Sequence, residues 1–335
     1  MRILVTGGAG FIGSHVTRTL AARGDRVTVL DDLSTGDLAN LDEPTRVAGD
    51  LGAPPAEIVV GSVLDRPLVE ELVDAADAVV HLASAVGVRT IVDEPMQSMR
   101  TMIAGTEHVL EAARRRRPRV LVASTSEVYG KNPGLLDETA DRILGPTSVT
   151  RWIYATAKAI DEYLAYGYWH DAGVPTVVPR FFNTVGPRQS GARGMVIPRF
   201  VAQALLGHDL AVYGDGTQRR CFCHVADATE AVVGLLDEPA AVGHAYNIAS
   251  TEETSILGLA QRIVAVTNSA SRIRRVPLEV AFDEDFEDVE RRRPDTTRIR
   301  SLLGWHPTRS LDEIIRDVVA AATAVGPASL LEEVA

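Results

Sequence analysis

The chain has 335 residues, 46% of them hydrophobic and 24% charged. That ordinary globular mix excludes a largely disordered protein, and the length suggests about two domains or one large α/β domain. Lys plus Arg total 34 against 45 Asp plus Glu, a formal net charge of −11, and a surface of that sign argues against a nucleic-acid partner. No apolar run reaches the roughly 18 residues that span a bilayer, so no membrane role is expected. The N-terminus lacks the apolar core of a secretion signal, and two cysteines build no disulfide framework; a cytoplasmic setting is expected.

In chain order, apolar runs at Arg2–Thr6 and at 26–30 flank a segment where Phe11, Ile12, Val16 and Leu20 recur at helical spacing. The reading is strand, helix, strand. Further strands are expected at 58–60, 78–82, 119–123 and 176–180, and helices at 68–75, 96–116 and 152–170. Strands alternating with helices predict an α/β fold, a doubly wound parallel sheet covered on both faces. Gly and Pro become frequent after Asn183, where a smaller mixed C-terminal domain is expected to begin. This gives residues 1–182 to the first domain and 183–335 mainly to the second, with elements near 220–248 returning to the first. A helix at 197–206, a turn at Gly214-Asp215-Gly216, a strand around 221–224 and a helix at 227–236 follow. Ser310 and Glu313 have capping-box spacing before an amphipathic helix. The run of four arginines at 114–117 reads as a helix C-terminus, where cations suit the dipole.

Thr6-Gly-Gly-Ala-Gly-Phe-Ile-Gly13 places Gly7, Gly10 and Gly13 between a strand and a helix. Gly7 permits a tight turn, Gly10 a close approach of pyrophosphate to the backbone, and Gly13 close helix packing. The helix N-terminus offers unpaired N–H groups to phosphates. Asp31 lies 21 residues after Gly10, where a carboxylate accepts from ribose hydroxyls and repels a 2′-phosphate; NAD is favoured over NADP. Asp32 reads as a turn residue.

The chain has 32 arginines and two lysines, Lys131 and Lys158, so a lysine is a stronger signal here than usual. Tyr154 and Lys158 stand at i, i+4, on one face of a predicted helix. A free tyrosine is a poor base at neutral pH, and a nearby ammonium would favour its phenolate. Ser124-Thr125-Ser126-Glu127 closes a predicted strand with polar residues where an open sheet meets its ligand crevice. Cys221 and Cys223 have no ligand partners at useful spacing, and no metal site is expected.

These motifs resemble the extended short-chain dehydrogenase/reductases that act on nucleotide sugars. The resemblance extends from Arg2 to about Val319 and includes His81-Leu82-Ala83-Ser84, Arg180-Phe-Phe-Asn183, Tyr213-Gly-Asp, Arg220-Cys-Phe and Arg292-Arg-Pro-Asp. It implies a Rossmann-type fold and an NAD site formed by Gly7, Gly10, Phe11, Ile12, Gly13, Asp31, Ser62, Val63, Leu82, Ala83 and Ser84, with Tyr154 and Lys158. It implies a UDP-sugar site with Arg220 and Arg292 at the diphosphate, Asn183 at the phosphates, and Val196, Arg199 and Tyr213 at uracil. It also implies a homodimer, with Val109, Leu110, Ala113 and Leu164 as candidate contacts and burial within the subunit as the alternative.

Ser126-Glu127, with Glu but no preceding Asp, resembles the UDP-glucuronate decarboxylases within that family. Tyr154 would take a proton from the sugar 4-hydroxyl as C4 is oxidised by NAD. The resulting β-keto acid loses CO₂ to give UDP-xylose, UDP-4-keto-pentose, or both. Thr125 suits the C4 oxygen, while Ser126 and Glu127 suit the proton delivered to C5. A raised pKa is expected for Glu127, letting it act as an acid. A UDP-sugar 4-epimerase and a non-catalytic NAD-binding regulator are the alternatives. Three positions depart from the family pattern: Met102 stands in place of Asn, Ser62 in place of Asp, and Arg89 lies in an altered loop as a further carboxylate contact.

Overall fold

Side-chain alternation along the first strand organises the molecule. In β1 (Arg2–Thr6), Ile3 and Val5 join one buried cluster while Leu4 joins another on the opposite face, as the two-residue period of a strand requires. The computed structural model describes residues 1–42, 56–85, 95–191, 195–277 and 289–331.

The strands are β1, β2 (Arg26–Asp31), β3 (Glu57–Val60), β4 (Ala78–His81), β5 (Arg119–Val122), β6 (Ser124–Thr125), β7 (Leu135–Leu136), β8 (Thr176–Phe181), β9 (Thr184–Val185), β10 (Leu210–Tyr213), β11 (Arg219–Cys221), β12 (Cys223–His224), β13 (Ala245–Ile248), β14 (Glu253–Ser255), β15 (Ile273–Val276) and β16 (Arg293–Pro294). The helices are α1 (Phe11–Ala22), α2 (Ala39–Asp42), α3 (Arg66–Ala75), α4 (Pro95–Ala113), α5 (Ile153–Ala172), α6 (Val196–Leu205), α7 (Val225–Asp237), α8 (Ile256–Thr267), α9 (Thr297–Leu303) and α10 (Leu311–Val325).

The main sheet runs β3-β2-β1-β4-β5-β8-β13, with β6 also paired to β8. Every pairing in it is parallel. Strand order reverses between β1 and β4, the crevice where doubly wound sheets bind ligands. One face is covered by α1 and α7 and the other by α3, α4 and α5. A third apolar cluster forms where α6, α8 and α10 pack together around Phe200, Ile263 and Ile314. α10 begins with the expected capping box, Ser310 and Glu313 reciprocally bonded.

Several boundaries differ from the sequence reading for local reasons. α3 starts two residues earlier because Asp65 accepts from the Leu68 N–H and Pro67 fits the first turn. α4 ends at Ala113, so the arginines lie beyond its last turn, where Arg115 pairs with Asp74 and Arg114 with Glu111. The strand expected around 221–224 is two strands: β11 is antiparallel to β14, and β12 is parallel to β9. Val109, Leu110 and Ala113 are fully buried within the subunit, with Leu164 packed against them. Val109, Leu110 and Ala113 are core of the α4–α5 layer, which corrects the subunit-contact reading for these three; Leu164 is only partly buried.

Among the described residues no helix is long and apolar enough to cross a membrane, and no group of His, Cys, Asp and Glu is arranged to hold a metal ion.

Candidate active site

The glycine turn forms at the carboxyl end of β1. Gly7 has φ +71°, the left-handed region that side chains avoid, and a Cβ there would stand 2.7 Å from the Ala83 nitrogen. A Cβ on Gly13 would overlap the Gly7 carbonyl, so the first turn of α1, with Phe11 and Ile12 at its start, packs directly on the loop. Asp31 ends β2 and is buried. Its carboxylate accepts from the Ala9 and Leu33 N–H groups, each at 2.9 Å. Burial raises its pKa, and those backbone donors oppose the shift. Asp32 caps a local turn by accepting from Ser34, as expected.

After β3, Ser62 Oγ accepts from the Leu64 N–H at 3.2 Å, and Val63 is buried beside Gly105 of α4. Leu82 and Ala83 lie against Gly7, and the Ser84 hydroxyl is buried with no hydrogen-bond partner among the described residues. An N–H-rich turn at a helix N-terminus, a crevice too tight for a Cβ, a carboxylate at the next strand end and an orphan hydroxyl fit an adenine dinucleotide. Arg89 lies outside the described residues.

At the end of β6, Thr125 Oγ1 accepts from the Glu127 N–H at 3.2 Å and starts a 3₁₀ turn over Ser126–Tyr129. Ser126 is buried in that turn. Glu127 leaves it to meet two guanidiniums: Arg151 at 2.7 Å and Arg292 at 2.6 Å. The three side chains are 18%, 11% and 5% exposed. Burial opposes the Glu127 anion, but Arg292 and Arg151 outweigh it and bring the carboxyl down to about 2. The raised pKa expected for Glu127 is therefore corrected, because two buried cations hold it ionised. The resemblance puts Arg292 at the diphosphate; the structure places its guanidinium on Glu127.

Tyr154 and Lys158 occupy successive turns at the start of α5. Lys158 is buried and its ammonium contacts Asp161 at 2.8 Å. Burial, then the negative charges of Glu127 and Asp161, push the Tyr154 phenol above the ordinary tyrosine value; a hydrogen bond with Thr125 pulls the other way. The ammonium expected to favour the phenolate is in place, but its charge is paired with Asp161. A buried network anchors this helix to the sheet. Arg180 of β8 pairs with Glu162 at 2.6 Å and donates to the Tyr129 hydroxyl at 2.8 Å, which donates to Asn247 of β13 at 2.8 Å.

On α6, the Arg199 guanidinium stacks 4.3 Å from the Tyr213 ring centre, near Val196 at the start of the same helix. Asn183, at φ +35°, donates to the Cys221 carbonyl at 2.9 Å. Arg220 is half-buried on β11 and donates to the Arg219 carbonyl. Cys221 and Phe222 beside it are buried.

Arg151 and Asp161 were not legible as site residues. Arg151 is one arginine among 32 and carries no compositional signal. Asp161 does carry one, since an acid three residues after a lysine shares its helix face.

A doubly wound sheet, a glycine turn at its switch point and a Tyr–Lys pair at the carboxyl ends of its strands define a dinucleotide-type α/β enzyme scaffold. The chain belongs to the family described as GDP-mannose 4,6 dehydratase, whose model matches residues 4–318. It is 40% identical over 319 residues to a UDP-N-acetyl-α-D-glucosaminuronate decarboxylase of Bacillus cytotoxicus, covering 95% of this chain and 96% of that one. It is 36% identical to UDP-glucuronic acid decarboxylase 1 of Danio rerio, covering 93% of this chain and 70% of that one. Among solved structures it is similar to the UDP-glucuronic acid 4-epimerase of Bacillus cereus bound to UDP-glucuronic acid and NAD. That match has TM-score 0.84 and 26% identity, and covers 97% of this chain and all of the other.

Proposed function

We propose that the protein decarboxylates a UDP-hexuronate, UDP-glucuronate in the first place, after oxidation at C4. The observation that carries this reading is the Arg151–Glu127–Arg292 cluster beside Tyr154. Two guanidiniums and one carboxylate leave one positive charge over, where a sugar bearing its own carboxylate would be received.

NAD bound at the Gly7–Gly13 turn and Asp31 would supply a hydride acceptor for C4 and, in its reduced form, a hydride donor for the 4-ketone where that ketone is not released first. Tyr154 accepts the proton of the 4-hydroxyl. Thr125 donates a hydrogen bond to the C4 oxygen as negative charge gathers there. With C4 a ketone, the C5–C6 bond breaks, its electron pair becomes the C4 enolate, and CO₂ leaves. Because Glu127 is ionised, C5 takes its proton from a water held by Glu127 and Ser126, and the hydroxide left behind takes up the released CO₂ as bicarbonate or is neutralised by solvent. Sharing the guanidiniums with Glu127 also keeps them from gripping the substrate carboxylate so firmly that its loss is slowed. Arg199 and Tyr213 are assigned to the nucleobase, and Asn183 and Arg220 to the diphosphate.

A second reading, with an N-acetyl group at C2 of the uronate, is favoured by the 40% identity to the Bacillus cytotoxicus enzyme. Incubation with UDP-glucuronate and, separately, UDP-N-acetylglucosaminuronate decides between them by mass spectrometry. The expected result is loss of CO₂ from UDP-glucuronate. Loss from the N-acetylated sugar alone moves the assignment to it. An unchanged mass with inverted C4 makes the protein an epimerase, and no change with either sugar supports a non-catalytic role.

We also propose a homodimer through the outward faces of α4 and α5, where Met96 and Tyr163 are exposed. Light scattering on the purified protein is expected to give twice the 36.0 kDa chain mass; a monomer mass rejects it.

A further inference from the structure

Asp161 is a charged residue for which the proposed reaction has no use, yet it is completely buried. One carboxylate oxygen meets the Lys158 ammonium at 2.8 Å. The other, Oδ1, completes no hydrogen bond among the described residues, although the Thr106 hydroxyl of α4 faces the carboxylate. Thr106 Oγ1 in turn lies 3.1 Å from His81 Nε2, and His81 Nδ1 lies 2.7 Å from Thr6 Oγ1. Thr6 accepts from the Ala83 N–H at 3.3 Å, beside the glycine turn. His81 is fully buried and, through burial and the Lys158 charge, falls to about 3; it is neutral at physiological pH. The donors then run one way: Ala83 N–H to Thr6, Thr6 O–H to Nδ1, Nε2–H to Thr106, and the Thr106 hydroxyl toward Asp161.

We propose that Asp161 is a positioning residue for the reaction assigned above: its carboxylate fixes the Lys158 ammonium and offsets the positive charge that Tyr154 would otherwise feel, and so sets the pH above which the enzyme turns over. The inference rests on Tyr154 as the base. The charged and titratable groups around the pair are Glu162 and Tyr154 on α5, His81 on β4 and Glu127 after β6, with the Thr106 hydroxyl on α4. Of the two anions facing the phenol, Glu127 is held by two guanidiniums, whereas Asp161 is held by one ammonium. Removing the Asp161 charge withdraws an anion that favours the protonated phenol and leaves the Lys158 charge undiminished. Both effects favour the phenolate.

The test is the pH profile of kcat for the NAD-loaded enzyme and, without substrate, the near-ultraviolet titration of its tyrosinate against a Tyr154→Phe reference. In Asp161→Asn, which keeps shape and an acceptor for Lys158, both curves are expected to move about one pH unit to lower pH. Asp161→Ser reads the same quantity should the asparagine variant not fold. Thr106→Val removes a donor that faces Asp161 but no charge, and its curves are expected to move far less than those of Asp161→Asn. Curves of the Asp161 variant that stay in place, move to higher pH, or move no further than those of Thr106→Val overturn the proposal. If Tyr154→Phe itself turns over normally, the fault lies instead with the assignment of the base.

Discussion

Replacing Tyr154 by phenylalanine is expected to slow turnover of the UDP-uronate by about a thousandfold, the scale of a positioned acid–base group. Phenylalanine keeps the ring and removes only the oxygen that takes the 4-hydroxyl proton. The structural cost is one hydrogen bond, with Thr125, worth about 1 kcal/mol, so the fold and NAD affinity should persist. In the parent enzyme the phenol is pushed upward by burial and by Glu127 and Asp161, so kcat is expected to rise with pH as the phenolate forms. Steady-state assays with the substrate, together with a thermal melt and fluorescence titration of NAD, separate the two effects. Turnover within tenfold of the parent would remove Tyr154 from the chemistry.

Glu127→Ala is expected to damage stability as well as activity. It leaves two buried guanidiniums facing each other with no anion between them, and breaking a buried pair costs about 3–5 kcal/mol. Linkage gives a similar figure: a carboxyl that titrates at about 2 in the folded chain instead of 4.5 contributes about 3 kcal/mol at neutral pH. The sign follows from the direction of the shift. The folded value lies below the unfolded one, so the contribution is complete above about 4.5 and fades as pH falls toward 2. Urea unfolding at pH 7 should therefore show the variant about 3 kcal/mol less stable, with the gap narrowing at pH 3. Equal midpoints at pH 7 would mean that the cluster contributes no net stability.

The main sheet was legible because its inner strands, β1, β4, β5 and β8, are buried on both faces and its helices are amphipathic. β1 was placed to the residue, and the Ser310 capping box was found from spacing alone. The elements outside the main sheet were harder to read because their strands are two to four residues long and pair with distant partners, as β10 does with β15. A strand such as Ile273–Val276, with two outward arginines, carries little hydrophobic period. Within the site, spacing placed the glycine turn and set Tyr154 and Lys158 on one face. Charges were beyond its reach. The state of Glu127 depends on Arg292, 165 residues away in the chain, and the long-range pairing of β16 with β7, with the bridge from Arg219 to Arg291, brings that arginine near. Met102, which stands where the family places an amide, is fully buried in the core, consistent with an apolar side chain filling that space.

The seventh place in the sheet order belongs to β13, whose four residues are all buried and lie in parallel register on β8. The polypeptide must first lay down α6, β10 and α7 before it can supply that strand. During synthesis the nascent chain therefore carries an open, pairing-competent edge on β8 until Ile248 has left the ribosome. Tyr129 likewise lacks its Asn247 partner until then, so the helix bearing Tyr154 is fully braced only after most of the protein has been translated.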